Sequence, residues 1–436
     1  MKNTISLFII TFLLSCNTNG NNDTDTDVQL RKIDLSEAMS TPTHQLLLSD
    51  IADDIEIVPL ETKATTVFKR AKHLISNDAG IIIVAQRRIL RFDKEGRYIC
   101  DIGKFGQGPE DFLFTCSIGY NDEKKEIYVP SLMDAMLKIY DINGNYINSI
   151  NLFNHNESIG TNSNAREDRA YRFIDNHHYL RRMLPIPGIK ESPWQLLIKD
   201  TDLNIDLELI DPNLKQYKLH YIYEDSLDIS KAGSEWTANA PVISYYKEKR
   251  SILFDSNDTI YSLDTKNNYI TAKYLLLTNS NTISAKELHV ADKSDNYLNN
   301  YIHPIDFIET NDYVFVVVEN KTFSYLCQFD KTTRNIKSIR NQGEIRHSDF
   351  MNVNYRKVSI PEFTDDLTGG CSFFPDHTND NEWIGVIPAE RLLTEIDIEE
   401  LEKKEVKLPH RKQQLINVLK NLKEDDNPVL MIVKLK

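Results

Sequence analysis

The sequence predicts an all-β fold, a six-bladed β-propeller, because one short hairpin unit recurs along the chain. The unit is clearest as FDKEGRYI at residues 92–99, and it returns as YDINGNYI at residues 140–147. In both copies apolar residues flank an Asp-x-x-Gly turn. The aspartate accepts hydrogen bonds from nearby backbone N–H groups and the glycine allows a positive φ, as a tight hairpin requires. A unit repeated at this interval is typical of stacked or radially arranged modules, and four strands per unit is the propeller blade.

Weaker copies of the octet follow at residues 199–206, 263–270 and 329–336, and an apolar strand precedes each of them. The turn aspartate is retained in all five copies, at Asp93, Asp141, Asp200, Asp264 and Asp330. The intervals between copies lengthen along the chain, which indicates longer loops in the later units. Unrelated hairpins in a β-sandwich are the alternative interpretation, and the five aligned copies favour the repeat.

The two ends of the chain supply strands that lie outside the five complete units. Residues 55–61 (IEIVPLE) and residues 429–435 (VLMIVKL) both have the apolar pattern of strands. We predict that they join a sixth blade, with residues 383–387 (WIGVI) as its middle strand, so that the two termini close the ring. Residues 410–423 instead have helical spacing after Pro409 and predict a short C-terminal helix. Its apolar face would pack on the outside of the propeller or dock a partner.

Composition limits the classes of partner. The 436-residue chain is 41% hydrophobic and 27% charged, which is ordinary for a folded protein with a core. Its formal net charge is −14, from 51 basic and 65 acidic residues. Because this charge repels nucleic acid, we expect no nucleic-acid partner.

The first residues have the pattern of a targeting segment. Lys2 gives a positive charge, residues 5–14 give a short apolar run, and residues 13–16 (LLSC) resemble a bacterial lipobox. The apolar run is too short to span a bilayer as a mature helix. An ordinary signal peptide with an accidental cysteine is the alternative. We predict a lipid-anchored protein of the cell envelope, in the outer membrane, with the leaflet left open.

This pattern divides the chain into three parts. Residues 1–15 are predicted as the lipoprotein signal peptide, residues 16–34 as the lipidated Cys16 with a flexible tether, and residues 35–436 as the propeller. The tether is polar and lacks periodicity, so it has nothing to bury. Several acyl chains on Cys16 would hold the protein at the membrane, which is the first predicted partner.

A glycine-rich segment between the first two units, GKFGQGPEDF at residues 103–112, is the candidate ligand site. It lacks the Gly-Lys-Ser/Thr start of a helix that a phosphate site requires. In a propeller, a connection from an outer strand to the next inner strand lies on the face that carries the channel mouth. Lys104, Gln107 and Glu110 are therefore predicted to contact a ligand. A purely structural connector between blades is the alternative.

Three further residues near strand starts or on strands, Arg181, His303 and Arg346, could face the central channel. Arg181 would suit a carboxylate or phosphate, and a solvated edge charge is its alternative interpretation. His177 and His178 are neighbours on a predicted strand and point to opposite faces, so they cannot chelate one metal together. The sequence thus predicts no metal site and no cofactor.

Four cysteines follow Cys16, and their spacing is irregular, without a C-x-x-C pair. Neither a zinc site nor a redox pair is indicated. An envelope location permits disulfides, but a core of this size does not need them. We expect buried free thiols at Cys100, Cys116, Cys327 and Cys371.

Several short motifs together carry a resemblance to a known family. They are LLSC at residues 13–16, VPLET at 58–62, GQGPE at 106–110 followed by Phe112, the repeat at 140–144, and DNPVL at 426–430. With these motifs the chain resembles the lipid-anchored six-bladed β-propellers of anaerobic Gram-negative gut bacteria, related in architecture to NHL-like and TolB-like propellers. The resemblance implies the fold and an envelope location, and it brings no catalytic residues.

Two functions remain open at this level. The first is a non-catalytic binding or scaffolding module, accessory to the capture of glycans or peptides or of another small molecule or protein. The second is a hydrolase or lyase with a central divalent cation such as calcium, like the lactonase-type members of the wider fold. The nucleophile-elbow, His-Glu-x-x-His and calcium-loop patterns are missing from the sequence. Convergence of three or more Asp, Glu, Asn or His side chains on the channel axis would favour the enzyme.

Overall fold

The described part of the protein is mostly β-structure. The computed structural model describes residues 30–152, 166–173, 178–184, 196–200, 205–209, 242–279, 302–342, 346–350, 353–357 and 360–436, except 44, 116, 132, 133, 135, 247, 248, 254–257, 265–268, 321 and 322. The predicted signal peptide and Cys16 lie outside these residues. No helix in the described ranges is long and apolar enough to cross a membrane.

Sheets I and II are four-stranded antiparallel meanders in which the spatial order follows the sequence. Sheet I contains β3 (His73–Asn77), β4 (Gly80–Ala85), β5 (Arg88–Phe92) and β6 (Tyr98–Asp101). Sheet II contains β7 (Gly119–Asn121), β8 (Glu126–Ser131), β9 (Met136–Asp141) and β10 (Tyr146–Asn151). The predicted hairpin unit joins the third and fourth strands of each sheet.

Sheets III, IV and V repeat this order. Sheet III contains β11 (Arg166–Phe173), β12 (His178–Leu184), β13 (Leu196–Asp200) and β14 (Ile205–Leu209). Sheet IV contains β15 (Val242–Tyr246), β16 (Lys249–Leu253), β17 (Thr259–Asp264) and β18 (Tyr269–Leu277). Sheet V contains β19 (His303–Glu309), β20 (Tyr313–Glu319), β21 (Phe323–Asp330) and β22 (Ile336–Gln342). A separate hairpin is formed by β23 (Arg346–Phe350) and β24 (Val353–Lys357).

Sheet IV gains a fifth strand from the start of the described chain. The strand β1 (Arg31–Asp34) pairs in parallel with the outer edge of β18, with Arg31 opposite Tyr274. It lies inside residues 16–34, which the sequence predicts as tether. Ordered structure therefore begins before the predicted boundary at residue 35.

Sheet VI combines both ends of the chain, as the sequence predicts. Its spatial order is β2 (Ala52–Pro59), β27 (Val429–Leu435), β26 (Glu382–Ile387) and β25 (His377–Thr378). All neighbouring strands are antiparallel, and Pro59 is opposite Val429. The predicted strand at 383–387 is thus an interior strand of this sheet.

Helices occur near the two ends of the described chain. They are α1 (Leu35–Ser40), α2 (Ala389–Glu395), α3 (Ile398–Lys403) and α4 (Pro409–Leu419), with a 3-10 turn at Leu48–Asp50. The predicted C-terminal helix is α4, which starts one residue earlier and ends four residues earlier than the periodicity indicates. Its buried Leu415, Ile416 and Leu419 pack in the core beside sheet VI.

The repeat turns have the predicted chemistry. Asp93 Oδ1 accepts from the backbone N–H groups of Glu95 (3.0 Å) and Arg97 (2.8 Å). Asp141 Oδ1 does the same for Asn143 (2.8 Å) and Asn145 (2.9 Å). Burial would raise the pKa of both carboxyl groups, but side-chain bonds from Arg97 and Asn145, together with these backbone bonds, hold it below the ordinary value. Asp200, Asp264 and Asp330 likewise end the third strands of their sheets.

Alternate side chains of an inner strand pack against two different sheets. In β4, Ile81 and Ile83 join a cluster with sheet VI, whereas Ile82 and Val84 join a cluster with sheet II. This is the period-two alternation of a strand that is buried on both faces.

The same alternation recurs in sheet V. In β20, Val314, Val316 and Val318 pack towards sheet IV, whereas Phe315 and Val317 pack towards sheet VI. Ile198 of sheet III shares a third cluster with residues of sheet IV. Face-to-face contacts therefore link sheets V, VI, I and II in series, and sheets III, IV and V in series.

Candidate functional site

The candidate site lies at one end of sheets I and II. Because neighbouring strands are antiparallel, the β4–β5 turn, the β8–β9 turn and the β6–β7 connection occur at the same end of these sheets. We call this end the connector face, and residues 103–112 the connector. The edge strands β3 and β25 also begin at this end of their sheets.

The connector folds back on itself through backbone bonds. Phe112 N donates to Lys104 O (2.9 Å), and Gly106 N donates to Phe112 O (3.2 Å). Gly108 N donates to Asp111 Oδ2 (2.9 Å). A Cβ atom at Gly106 would lie 2.2 Å from Asp111 Oδ2, so a larger residue there would displace the Asp111 carboxylate from its bond to Gly108 N. The backbone of the connector is therefore fixed.

Two side chains of β9 hold the connector against sheet II. Tyr140 OH donates to Glu110 O (2.7 Å), and Lys138 Nζ donates to Pro109 O (2.7 Å). Burial, with the nearby Asp111 carboxylate, raises the pKa of Tyr140, so its hydroxyl remains a donor at neutral pH. Since these bonds use backbone carbonyls, the side chains of Lys104, Gln107 and Glu110 remain exposed.

The three predicted ligand residues of the connector all lie at the protein surface. Lys104, Gln107 and Glu110 are all exposed on this segment. One ammonium, one carboxamide and one carboxylate thus occur on a short, rigid stretch of surface. Such a set can donate and accept hydrogen bonds without strong preference for ligand charge.

Beside these residues lies a group of aromatic rings that sequence reasoning missed. The ring of Phe105 stands edge-on to Phe114 at 5.4 Å and to Phe112 at 6.3 Å, measured between centroids. The Arg87 guanidinium, from the β4–β5 turn, lies 5.0 Å from the centroid of Phe105. Phe112 is buried, whereas Phe114 is 42% exposed. The result is an aromatic surface backed by a cation.

Phe114 is held in an unfavourable backbone conformation. Its φ is 53°, in the left-handed region that bulky side chains rarely adopt. Leu113 N donates to Ser131 Oγ (2.7 Å) on one side of it, and Thr115 Oγ1 donates to Ser117 O (2.7 Å) on the other. Such strain costs about 1–3 kcal/mol and concentrates at ligand sites. The Phe-x-Phe spacing of residues 112 and 114 is visible in the sequence, but the reversal of φ that exposes the second ring is not.

Two histidines lie on the edge strands β3 and β25, near the connector end of these sheets. His73 begins β3 and His377 begins β25, and their rings are 6.4 Å apart in an edge-on arrangement. Ile118 N donates to His73 Nδ1 (3.3 Å), which requires that nitrogen to be unprotonated. Across the described residues, no group of three or more His, Cys, Asp or Glu side chains is placed to hold a metal ion.

The other predicted site residues belong to strands of other sheets. His303 is buried in sheet V, where its Nδ1 is 3.2 Å from Glu319 Oε1 of the adjacent strand. Arg181 lies in β12 opposite Leu197, and Arg346 lies in β23 opposite Lys357. His303 thus belongs to a cross-strand pair inside its sheet.

The cysteines within the described residues are free thiols. Cys327 and Cys371 are buried, and Cys100 is half-buried, as predicted for unpaired cysteines in a large core. Burial raises the pKa of Cys327 and of Cys371 to about 12, so both remain protonated and unreactive. Cys116 lies outside the described residues.

Fold and site together define an all-β protein of repeated four-stranded sheets, with an aromatic and polar surface suited to binding. The chain belongs to the family described as a domain of unknown function (DUF4934), whose profile matches residues 30–434. No curated protein matches the sequence.

Two crystal structures from Bacteroides are similar to the chain. One is of a protein described as exported, from Bacteroides fragilis NCTC 9343, and is 14% identical. The match covers 93% of this chain and 99% of that one, with a TM-score of 0.57. The other is of a member of the DUF4221 family from Bacteroides vulgatus ATCC 8482 and is 11% identical. The match covers 67% of this chain and 86% of that one, with a TM-score of 0.40. The first similarity extends over nearly the full length of both chains and shows a shared fold.

Proposed function

We propose that this protein is a lipid-anchored six-bladed β-propeller of the cell envelope, and that its connector face captures glycans or peptides without chemical turnover. Cys16 carries the anchor, which places the protein at the outer membrane. The export assigned to the similar Bacteroides fragilis protein supports an envelope location. Binding, and not catalysis, is the role of the face.

Six sheets and their contacts support the propeller arrangement. Five sheets are complete within the chain and the sixth joins strands from both ends. Sheet-to-sheet clusters already link V to VI, VI to I, and I to II. In the proposed ring β2 and β27 complete sheet VI, and sheet II also packs on sheet III, which removes the exposed edges that an open array would carry.

The exposed ring of Phe114 is the observation that carries the binding proposal. A large apolar side chain kept at the surface at the expense of backbone strain needs a compensating role. An aromatic face can stack on the apolar face of a sugar ring or on a flat peptide side chain. Lys104, Gln107 and Glu110 can then bind the hydroxyl or amide groups at the edge of that ligand.

A substitution at Phe114 tests this role. Phe114→Gly removes the ring and the backbone strain together, so the variant should be at least as stable as wild type while losing binding to the glycan or peptide that an array identifies. Ile147→Ala is the control, since it removes another exposed apolar side chain, which is 47% exposed on β10 and is not part of the group of aromatic rings. Binding that is unchanged in Phe114→Gly would overturn the proposal.

The enzyme alternative has its own measurement. Thermal melts with calcium and with a chelator, together with lactone, ester and glycan substrates, separate the two functions, because a cation bound only to the folded state raises its melting temperature. A large calcium shift with turnover that the chelator abolishes would replace the binding function by a metal-dependent hydrolase or lyase.

A further inference from the structure

A groove lies at the β2 edge of sheet VI, and none of its lining residues belongs to the aromatic site. It runs between α4 and residues 59–62, which leave the end of β2, and its volume is about 690 Å³. Pockets for small ligands commonly measure about 300–1,000 Å³. Apolar side chains of Leu60, Val418 and Leu422 contribute to its lining, and all three are at least partly buried.

Two segments far apart in sequence are joined to form this groove. Asn427, which is 1% exposed, accepts from Phe68 N (2.9 Å) and donates to Glu61 O (2.9 Å). Its own N–H donates to Thr62 Oγ1 (2.8 Å). These are the VPLET and DNPVL motifs of the sequence, and their contact fixes one wall of the groove.

The other wall carries a row of carboxamides. Gln413, Asn417 and Asn421 line the groove, are exposed, and occur four residues apart, so they lie along one side of the helix and the turn that follows it. Gln413 Nε2 donates to Asn417 Oδ1 (3.1 Å), which orders the row. Asparagine is a poorer helix former than alanine or lysine, so helix stability does not explain Asn417.

The spacing of this row matches an extended polypeptide. Residues four apart on a helix are separated by about 6 Å along its axis. Alternate residues of an extended chain are separated by about 6.6–6.8 Å, so each carboxamide could meet every second peptide group. A carboxamide offers one acceptor and two donors, which suits a peptide C=O and N–H together. From His410 to Asn421 the helical wall extends about 16 Å, the length of about five extended residues.

We propose that this groove binds an extended peptide segment of about five residues. The backbone of the bound peptide pairs with the carboxamide row, and alternate side chains of the peptide point to the apolar lining formed by Leu60, Val418 and Leu422. At the rim, Asp426 supplies a carboxylate, whereas the Glu61 carboxylate is paired with Lys63 (3.0 Å). The chain has a net charge of −14, so the segment is neutral or basic. The groove is thus a peptide site separate from the connector face.

Fluorescein-labelled hexapeptides test the proposal by fluorescence polarisation with the purified full chain. In the set, leucine alternates with alanine, serine or lysine, and matched copies carry an N-methyl group on every second backbone nitrogen. We expect the alternating peptides to bind and their N-methylated copies to fail. Asn417→Ala together with Asn421→Ala should weaken binding about tenfold, the effect of two lost hydrogen bonds.

Controls separate binding from stability and from the other site. Asn335→Ala removes an equally exposed carboxamide from the turn after β21 and should leave peptide affinity unchanged. The double variant should melt within a few degrees of wild type, since alanine at residue 417 favours the helix and offsets the loss of the exposed bond from Asn421 Nδ2 to Asn417 O. Phe114→Gly should retain peptide binding here, so failure of the connector site leaves this result intact. Peptide affinity unchanged in the double variant, no binding by any hexapeptide, or displacement of the probe by neutral oligosaccharides would each overturn the peptide assignment.

Discussion

Glycine in the repeat turns meets two separate requirements, a positive φ and space next to its Cα atom. Gly144 has a φ of +85°, and a Cβ atom there would lie 2.1 Å from Asp101 O of sheet I. Gly144 O also accepts from Gly103 N (3.2 Å), so this turn contacts the preceding sheet directly. We expect Gly144→Ala to lower the free energy of unfolding by at least about 1–3 kcal/mol, from backbone strain alone. Urea unfolding measures the loss.

The turn of the fifth repeat supplies the control. There Arg334 has a φ of +61°, so a positive φ by itself tolerates a side chain. Arg334→Gly should change the free energy of unfolding by no more than about 1 kcal/mol. A Gly144→Ala protein as stable as wild type would show that sheets I and II do not approach as closely as this turn requires.

At the level of elements, local chemistry explains what the sequence predicted well. Asp93 and Asp141 cap their own turns within four residues, so the hairpins could be recognised from short patterns. The strand β1 could not, because Arg31–Asp34 pairs with β18, some 240 residues further along the chain. Phe114 was missed for a related reason, since its exposure depends on one backbone angle. Long-range pairing and single dihedral angles leave little trace in a short pattern.

The parallel strand β1 can be tested against the flexible tether that the sequence predicts at the same residues. Ile33 is fully buried in a cluster with Tyr274 and Leu276 of β18. Ile33→Ala should therefore cost about 2–5 kcal/mol, whereas in a flexible tether the same change would cost almost nothing. Lys32→Ala, at the exposed neighbouring position, should stay within about 0.5 kcal/mol of wild type. Equal stability of the two variants in urea would contradict the pairing of β1.

Between sheets IV and V lies a buried ionic cluster that predicts a pH dependence. Glu309 is 5% exposed and accepts from Lys273 Nζ (2.6 Å), Lys331 Nζ (2.7 Å) and Tyr274 OH (2.9 Å). Burial alone would raise the pKa of Glu309, but the two ammonium groups hold it below the ordinary value of 4.5. The carboxylate therefore contributes stability above pH 4.5, and this contribution is lost as the pH falls through the lower pKa of the folded state.

Glu309→Gln should remove that contribution. Near neutral pH the variant leaves two partly buried ammonium groups without their counterion, so we expect a loss of about 2–4 kcal/mol. The difference from wild type should shrink as the pH falls below 4.5, which urea unfolding across pH 3.5–7 would measure. Glu402→Gln removes an exposed partner of Lys420 and should cost less than about 1 kcal/mol. A difference between Glu309→Gln and wild type that is constant with pH would contradict the assigned cause.

At the scale of the whole molecule, the proposed ring depends on β27, which lies between strands from opposite ends of the chain. Met431 is buried in this strand, opposite Ile57 of β2 and Gly385 of β26. A proline there would remove a backbone donor from a central strand, so both the pairing and the packing of sheet VI should fail. Because sheet VI shares clusters with sheets I and V, we expect Met431→Pro to lower the melting temperature of the entire domain.

Glu424→Pro is the matched proline substitution. Lys423 N donates to Asp426 Oδ2 and Asp426 N donates to Lys423 O, which makes Glu424 the second residue of a four-residue turn, a position that favours proline. This variant should melt within a few degrees of wild type. In calorimetry, Met431→Pro should unfold at a much lower temperature than Glu424→Pro. If the two proteins melt together, the ends of the chain do not close the ring, because a closed ring cannot lose its joining strand without weakening the sheets on both sides.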